Sequence, residues 1–290
     1  MQQRTGVGNT ERRRRVATLA GRSRRFGFLL ACLLGLASAG CVASFIYFPE
    51  AEIRPVPEQL GIAPQWVFFD AEDGVRLSAW YVPAPNARGV ILFFHGNGGN
   101  VSHYAYALAI FRKLGLSGFS VDYRGYGKSE GAPSERGTYL DAEAAWRHVV
   151  DAMGVPPDRI IIFGRSLGGS VAAWLAHKHT PRLLILESAF TSMRAEASAL
   201  YPWLPAGLLV GDMYDTEKYV QDVKCPVLVI HSPDDEIVPY THGLRLFERS
   251  RQPKRFLQIR GRHNTGFIES LQTYEEGLDA FFTEYLGKIP

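Results

Sequence analysis

At 290 residues, with 46% hydrophobic and 21% charged side chains, the chain can bury one full core and has the composition of an ordinary globular protein. Its net charge of +3 hides an asymmetry: eight of the 32 bases are Arg within residues 1–25, and beyond that tail 24 bases face 28 acids. The mildly acidic remainder, with its bases scattered, excludes a nucleic-acid-binding stripe, and three Cys, two of them (Cys32 and Cys41) in an apolar N-terminal run, exclude a disulfide framework.

Residues 26–48 contain 23 positions without a charge, enough helical rise to cross a hydrocarbon core of about 30 Å. Arg12 to Arg15, Arg22, Arg24 and Arg25 precede this run and only Arg54 soon follows it. The positive-inside rule therefore keeps the N-terminus cytoplasmic and expects the remaining domain on the far side of the membrane. Three fates are open: a retained anchor, cleavage at Ala37-Ser38-Ala39, or lipidation of Cys41 after Ser38-Ala39-Gly40 as in bacterial lipoproteins. Residues 49–64, with Pro49, Pro55, Pro57 and Pro64, read as a linker or edge-wrapping segment.

From residue 65 to 290 the pattern is that of one domain. Trp66 to Asp70 and Val75 to Val82 flank the turn signal Glu72-Asp73-Gly74 and predict an antiparallel hairpin at a sheet edge. Thereafter strands and helices alternate: strands at 89–94, 118–122, 160–163, 183–187, 227–231 and 256–259, and helices at 101–113, 138–153, 171–177, 241–249 and 270–285. The alternation predicts an α/β fold with a mostly parallel sheet flanked by helices. Residues 188–224 lack it, and with Leu200-Tyr201-Pro202-Trp203-Leu204-Pro205 and Leu208-Leu209-Val210 they read as a cap insertion over one end of the sheet, its apolar clusters expected to line a binding site. Cys225, just before Pro226 at a strand start, reads as a small buried thiol.

The chemistry-bearing stretch is Ile160-Ile161-Ile162-Phe163-Gly164-Arg165-Ser166-Leu167-Gly168-Gly169, a buried strand turning at once into a helix. In Gly164-x-Ser166-x-Gly168 the glycines leave room at the apex, lift the Ser166 hydroxyl clear of the sheet, and aim the Leu167 amide at any oxyanion formed on attack. A serine needs a base to take its proton, usually a His oriented by a carboxylate. Past the strand at 227–231 stand Asp234, Asp235 and Glu236, and past the last strand stands His263 in Gly261-Arg262-His263-Asn264. The order Ser, acid, His fits a nucleophile-elbow hydrolase and leaves three acids to choose from. His95-Gly96-Asn97, ending the strand at 89–94, supplies a second oxyanion donor, the Asn97 amide.

These residues resemble the membrane-anchored α/β-hydrolase family that includes the Bem-type and YfhR-type proteins and the abhydrolase-domain proteins. The resemblance covers about residues 60–286 and is carried by Phe94-His95-Gly96-Asn97 with Gly99-Asn100, by Val121-Asp122-Tyr123-Arg124-Gly125-Tyr126-Gly127-Lys128-Ser129-Glu130-Gly131, by Phe163 to Gly169, and by His263-Asn264. One departure is Thr265-Gly266, where an acidic residue is frequent in the family. The resemblance implies an α/β-hydrolase fold, a Ser166, Asp235 and His263 triad, and cleavage of esters or thioesters near membranes without metal or cofactor. The expected partners are a small-molecule or lipid-like acyl substrate, an acyl lipid or acylated protein among the candidates, and the membrane itself. A peptidase or amidase, and a non-catalytic binding protein on the same fold, are the alternatives.

Overall fold

The computed structural model describes residues 39–289. The basic tail at 1–25 and the apolar run up to residue 38, Cys32 included, lie outside the described residues. Among the described residues no helix is long and apolar enough to cross a membrane. The chain divides into two units at residues 45 and 46, and the larger, beginning at Ile46, carries everything that follows.

The elements in chain order are α1 (Ala39–Ile46), β1 (Phe48–Pro49), β2 (Gln65–Asp70), β3 (Arg76–Val82), β4 (Val90–Phe94), β5 (Gly98–Gly99), α2 (Ala105–Lys113), β6 (Ser117–Asp122), α3 (Glu135–Arg147), β7 (Ile160–Arg165), α4 (Leu167–Lys178) and β8 (Leu183–Glu187). There follow α5 (Met193–Leu200), α6 (Ala206–Val210), α7 (Thr216–Val220), β9 (Val227–His231), α8 (Tyr240–Arg249), β10 (Lys254–Gln258), α9 (Gly266–Glu269) and α10 (Leu271–Leu286). Eight strands form one sheet in the order β10-β9-β8-β7-β4-β6-β3-β2. Only β3 runs against the rest, paired antiparallel to β2 and to β6. This is the α/β-hydrolase architecture expected from the alternation, with the hairpin at the sheet edge.

Five adjoining strands need no alternation because both their faces are covered: β9, β8, β7, β4 and β6 are buried along their whole lengths. On one face Phe93 meets Phe163 edge-on at 5.4 Å and Phe111 of α2 at 5.6 Å, and Leu278, Phe281 and Phe282 of α10 close the layer. Truncating one of these phenylalanines to Ala removes about 3–5 kcal/mol of stability. Cys225 is buried, and that burial pushes its thiol up to about 12.

Where elements differ from the sequence reading, the cause is local. Helix α4 starts at Leu167, four residues before the expected start, because tight packing under the turn outweighs the low helix propensity of Gly168 and Gly169. Helix α3 starts at Glu135, capped by Ser134, whose hydroxyl accepts from the Gly137 amide at 3.0 Å. It gives way at His148 to a single wider turn, 148–152. Strand β10 begins at Lys254, in register with Val227 of β9.

Residues 188–224 hold three helices. The excursion closes where the Met193 amide donates to the Met213 carbonyl at 3.0 Å, and within it α6 lies against α5, with Gly207 set tightly on Arg194 and Ser198. Helix α7 instead joins the layer beside α4, through Ser170 and Thr216, and its Glu217 takes Arg245 and Arg249 from α8. Trp203 and Leu208 are 76% and 74% exposed, so these apolar side chains face outward and do not line an interior.

Segment 49–64 is bound to the domain as a strap. β1 pairs in parallel with β5, the Asn100 side-chain amide donates to the carbonyls of Glu50 and Glu52 at 2.9 and 2.7 Å, and Ile53, Val56, Leu60 and Ile62 rest on the core.

Candidate active site

In an open, mostly parallel sheet the loops that follow the strands gather at their carboxyl edge. Here the edge collects His95-Gly96-Asn97 after β4, Ser166 after β7, Asp235 after β9 and His263 after β10. Ser166 is the residue between β7 and α4, with φ 53° and ψ −121°, a conformation that an L-residue holds only when its surroundings impose it. The imposition comes from three glycines. A Cβ at Gly164 would stand 2.1 Å from the Gly168 carbonyl oxygen, one at Gly168 2.0 Å from that of Phe94, and one at Gly169 2.5 Å from the Ala189 Cβ. Helix α4 therefore begins in contact with the end of β4. The Leu167 amide is the first of that helix, one of the four that lack an intrahelical acceptor.

The Asn97 amide, expected from the sequence to be the second oxyanion donor, is fixed through its own peptide. His95 Nδ1 donates to the Gly96 carbonyl at 2.7 Å. Because N–H and C=O of one planar peptide point in opposite directions, this turns the Asn97 N–H away from His95. The Asn97 carbonyl accepts from Tyr126 Oη at 2.8 Å and from the Phe48 amide at 2.9 Å, and its side-chain nitrogen donates to the Ile46 carbonyl at 3.0 Å. Tyr123 Oη donates to the His95 carbonyl at 2.8 Å, and Tyr104 Oη accepts from the Gly96 amide at 3.1 Å. Gly96 itself is beside the nucleophile, since a Cβ there would lie 3.6 Å from that of Ser166. Sequence reasoning missed Tyr104, Tyr123 and Tyr126 as supports, although the last two stand in the run that carries the family resemblance.

All three candidate acids hold the His263 loop, each by a different handle. Asp234 accepts from the Gly261 amide at 3.3 Å, Glu236 from the His263 amide at 3.0 Å, and Asp235 from the imidazole itself, with His263 Nδ1 at 2.8 Å from Oδ2 and 3.0 Å from Oδ1. Asp235 also accepts from the amides of Ile237 and Val238 at 3.0 and 2.8 Å. Burial alone raises its carboxyl, but the His263 and backbone bonds outweigh burial and hold it below the usual range. With Nδ1 committed to Asp235, the Nε2 atom of His263 is the one free to act as base.

A second tie bears on the imidazole. Arg165, the residue before the nucleophile, donates to the His263 carbonyl at 2.7 Å, faces Glu187 at 3.4 Å, and lies over the Phe267 ring at 4.7 Å. Glu187 in turn accepts from Tyr274 Oη at 2.7 Å, while its carbonyl takes the Ser166 amide at 2.9 Å. One buried network thus holds the main chain at both His263 and Ser166. The bare motif gives no sign of it, because position 165 is its unspecified residue.

Three buried titratable groups near Asp235, His231, His242 and Glu196, are shifted toward their neutral forms. His231 donates through Nε2 to the Val238 carbonyl at 2.9 Å, and burial depresses its pKa. His242 accepts at Nδ1 from the Thr191 amide at 3.1 Å, and burial, then His231, depress it. Glu196 of α5 lies 3.6 Å from His242 Nε2, and among the described residues neither of its carboxyl oxygens has a hydrogen-bond partner. Burial first, and the Asp235 charge second, push Glu196 up to about 8, so it is protonated at neutral pH. Sequence reasoning missed Glu196, which sits in the insertion far from any motif. Among the described residues no group of His, Cys, Asp and Glu is arranged to hold a metal ion.

Comparison with known proteins bears on the family and the fold. A family described as "Serine aminopeptidase, S33" matches residues 85–211. The protein Rv2307c of Mycobacterium tuberculosis is 38% identical over 244 residues, covering 82% of this chain and 86% of the relative. YfhR of Escherichia coli is 33% identical over 78% of this chain and 81% of its own, and the α/β-hydrolase domain-containing protein WAV2 of Arabidopsis thaliana 36% identical over 67% and 69%. Among solved structures, the Pyrococcus furiosus esterase Pf2001 superposes with a TM-score of 0.70 at 19% identity, over 83% of this chain and 98% of that one, a likeness of fold.

Proposed function

We propose that this chain, which belongs to the α/β-hydrolase-domain family, is a serine hydrolase that cleaves carboxylic esters or thioesters through an acyl-enzyme. Its hydrolase class is carried by family and fold. The finer reading rests on one observation: the His263 imidazole is bonded to Asp235 at 2.8 Å on a loop whose main chain is tied to the residue next to the strained Ser166. In this reading His263 Nε2 removes the Ser166 proton as the oxygen attacks the acyl carbonyl, and the imidazolium formed is stabilised by Asp235. The amides of Asn97 and Leu167 take the oxyanion. The proton then passes to the leaving alkoxide or thiolate, and a water activated by the same imidazole releases the acid from Ser166.

A fluorophosphonate probe tests the nucleophile. Labelling is expected on the wild type and absent from Ser166→Ala, and equal labelling would remove Ser166 from the reaction. Asp235→Asn is expected to lower kcat by about 10³-fold or more, whereas Asp234→Asn, which loses one backbone contact, is expected to do little. The amidase reading is favoured by the aminopeptidase description of the matching family. Paired nitrophenyl esters and aminoacyl nitroanilides separate the two, and faster turnover of the anilides would replace the ester assignment. The chain is proposed to be held at a membrane through residues 26–45 of the apolar run, by a retained span or by lipid on Cys41, with the hydrolase domain on the extracytoplasmic side; residues 46–48, expected to belong to that run, are instead fastened to the domain.

A further inference from the structure

Two apolar segments adjoin the residues that would form the mouth of the site. The first is where the chain enters the larger unit, and its opening residues are fastened around the site: Ile46 and Phe48 to Asn97, and Tyr47 through a 2.7 Å hydrogen bond to Tyr214 at the foot of the insertion. Upstream of these residues no charge occurs back to Arg25. A membrane span needs about 20 residues, which residues 26–45 meet with nothing left over for a spacer. Lipid on Cys41 leaves an equally short reach. Either way the tether ends on the oxyanion loop.

The second segment is the α5 and α6 excursion. Helix α5 starts beside the acid of the site, with Glu196 facing His242 and feeling the charge of Asp235. From residue 197 to 211 it carries no charged side chain. Leu200, Tyr201, Trp203, Leu204 and Leu208 are 43%, 47%, 76%, 40% and 74% exposed, and the rings of Tyr201 and Trp203 meet edge-on at 6.5 Å. Tyr and Trp are the residues favoured at the level of lipid headgroups. Phe48, whose amide is bonded to the Asn97 carbonyl, is 52% exposed and adds apolar surface next to that loop.

We infer that the α5 and α6 excursion lies in the interfacial layer of the bilayer that the N-terminal run reaches, so that the mouth opens onto the membrane surface and draws acyl esters or thioesters resident in it. The inference rests on the proposed membrane attachment and deepens the proposed hydrolysis. A short tether that ends on the oxyanion loop, and an uncharged aromatic patch on an excursion tied to that tether through Tyr47 and Tyr214, leave a lipid surface as the occupant that satisfies both.

The full chain in phosphatidylcholine vesicles brominated on the acyl chains, compared with unbrominated ones, tests it. Wild type and Ser166→Ala are both expected to float with the vesicles and to lose tryptophan emission to bromine, and roughly half or more of that loss is expected to vanish in Trp203→Phe. Equal quenching with and without Trp203 overturns the inference, as does a Trp203 shielded from iodide but untouched by bromine, which would assign the patch to a second copy of the chain. A wild type that fails to float overturns the attachment and this inference together. The double variant Trp203→Ser, Leu208→Ser is expected to lose about tenfold in rate on a long-chain ester held in the vesicles, the equivalent of about 1.4 kcal/mol, while its rate on a water-soluble short ester stays within about twofold. Equal loss on both esters counts against the inference. Quenching that depends on Trp203 in a chain inert toward every ester would instead sink the ester reading and leave the docking in place.

Discussion

Asp235 and Glu196 are carboxyls near enough to feel each other's charge, and their surroundings drive them in opposite directions. Asp235, with an imidazole and two amides as donors, stays ionised below its ordinary range, while Glu196, buried and without a hydrogen-bond partner among the described residues, keeps its proton up to about 8. Between the ordinary value of 4.5 and about 8 the folded chain thus holds a proton that the unfolded chain has released. Stability from this group is fully present below that window and falls as pH rises through it. In Glu196→Gln the fall should be smaller, leaving the variant more stable than wild type at pH 9 by on the order of 1–2 kcal/mol, a difference that urea unfolding at pH 5 and pH 9 would measure. Arg165 gives a second test. Arg165→Met leaves Glu187 buried without its cation and should remove about 3–5 kcal/mol, whereas adding Glu187→Met should restore most of the stability. The double variant should remain slow on esters, because the His263 carbonyl still lacks its donor. A double variant with normal kcat would show that Arg165 serves the fold and not the imidazole.

At the scale of elements, legibility followed burial. Strands β8 and β9 fall on the residues their apolar runs mark, 183–187 and 227–231, because strands covered on both faces must be apolar throughout. The start of α4 is hidden, since a Gly-Gly step argues against helix in any local scale and only its contact with Phe94 explains it. That contact makes Gly168→Ala costly: the added carbon must push α4 off β4, with an expected loss of about 3 kcal/mol and a displaced Leu167 amide. Thermal unfolding and the kcat of the folded fraction would report the two effects separately. The helices of the insertion show no clear periodicity because they are short and mostly solvent-facing, and the two-residue strands β1 and β5 are too brief to alternate at all. Of the candidate site, the order Ser, acid, His singles out Ser166, His263 and three carboxylates. The family resemblance chooses Asp235, and the structure puts that residue on the imidazole. The tyrosines and Arg165 that hold these groups were illegible, since their partners are main-chain groups brought near only by folding.

Across the whole molecule, the strap from Tyr47 to Glu52 sets where the working enzyme begins. A recombinant version trimmed to residue 65, the start of the first long strand, would keep the sheet and its helices yet free Asn97 from Ile46 and Phe48 and empty the Asn100 amide of both its carbonyls. Such a product is expected to show a normal helical spectrum with kcat lowered by about 10²-fold, the loss associated with one oxyanion donor, while a product trimmed to residue 46 keeps its rate on soluble esters. Proteases that nick this stretch would accordingly silence the enzyme without unfolding it. Whoever engineers a soluble form has to carry those few residues along, apolar as they are.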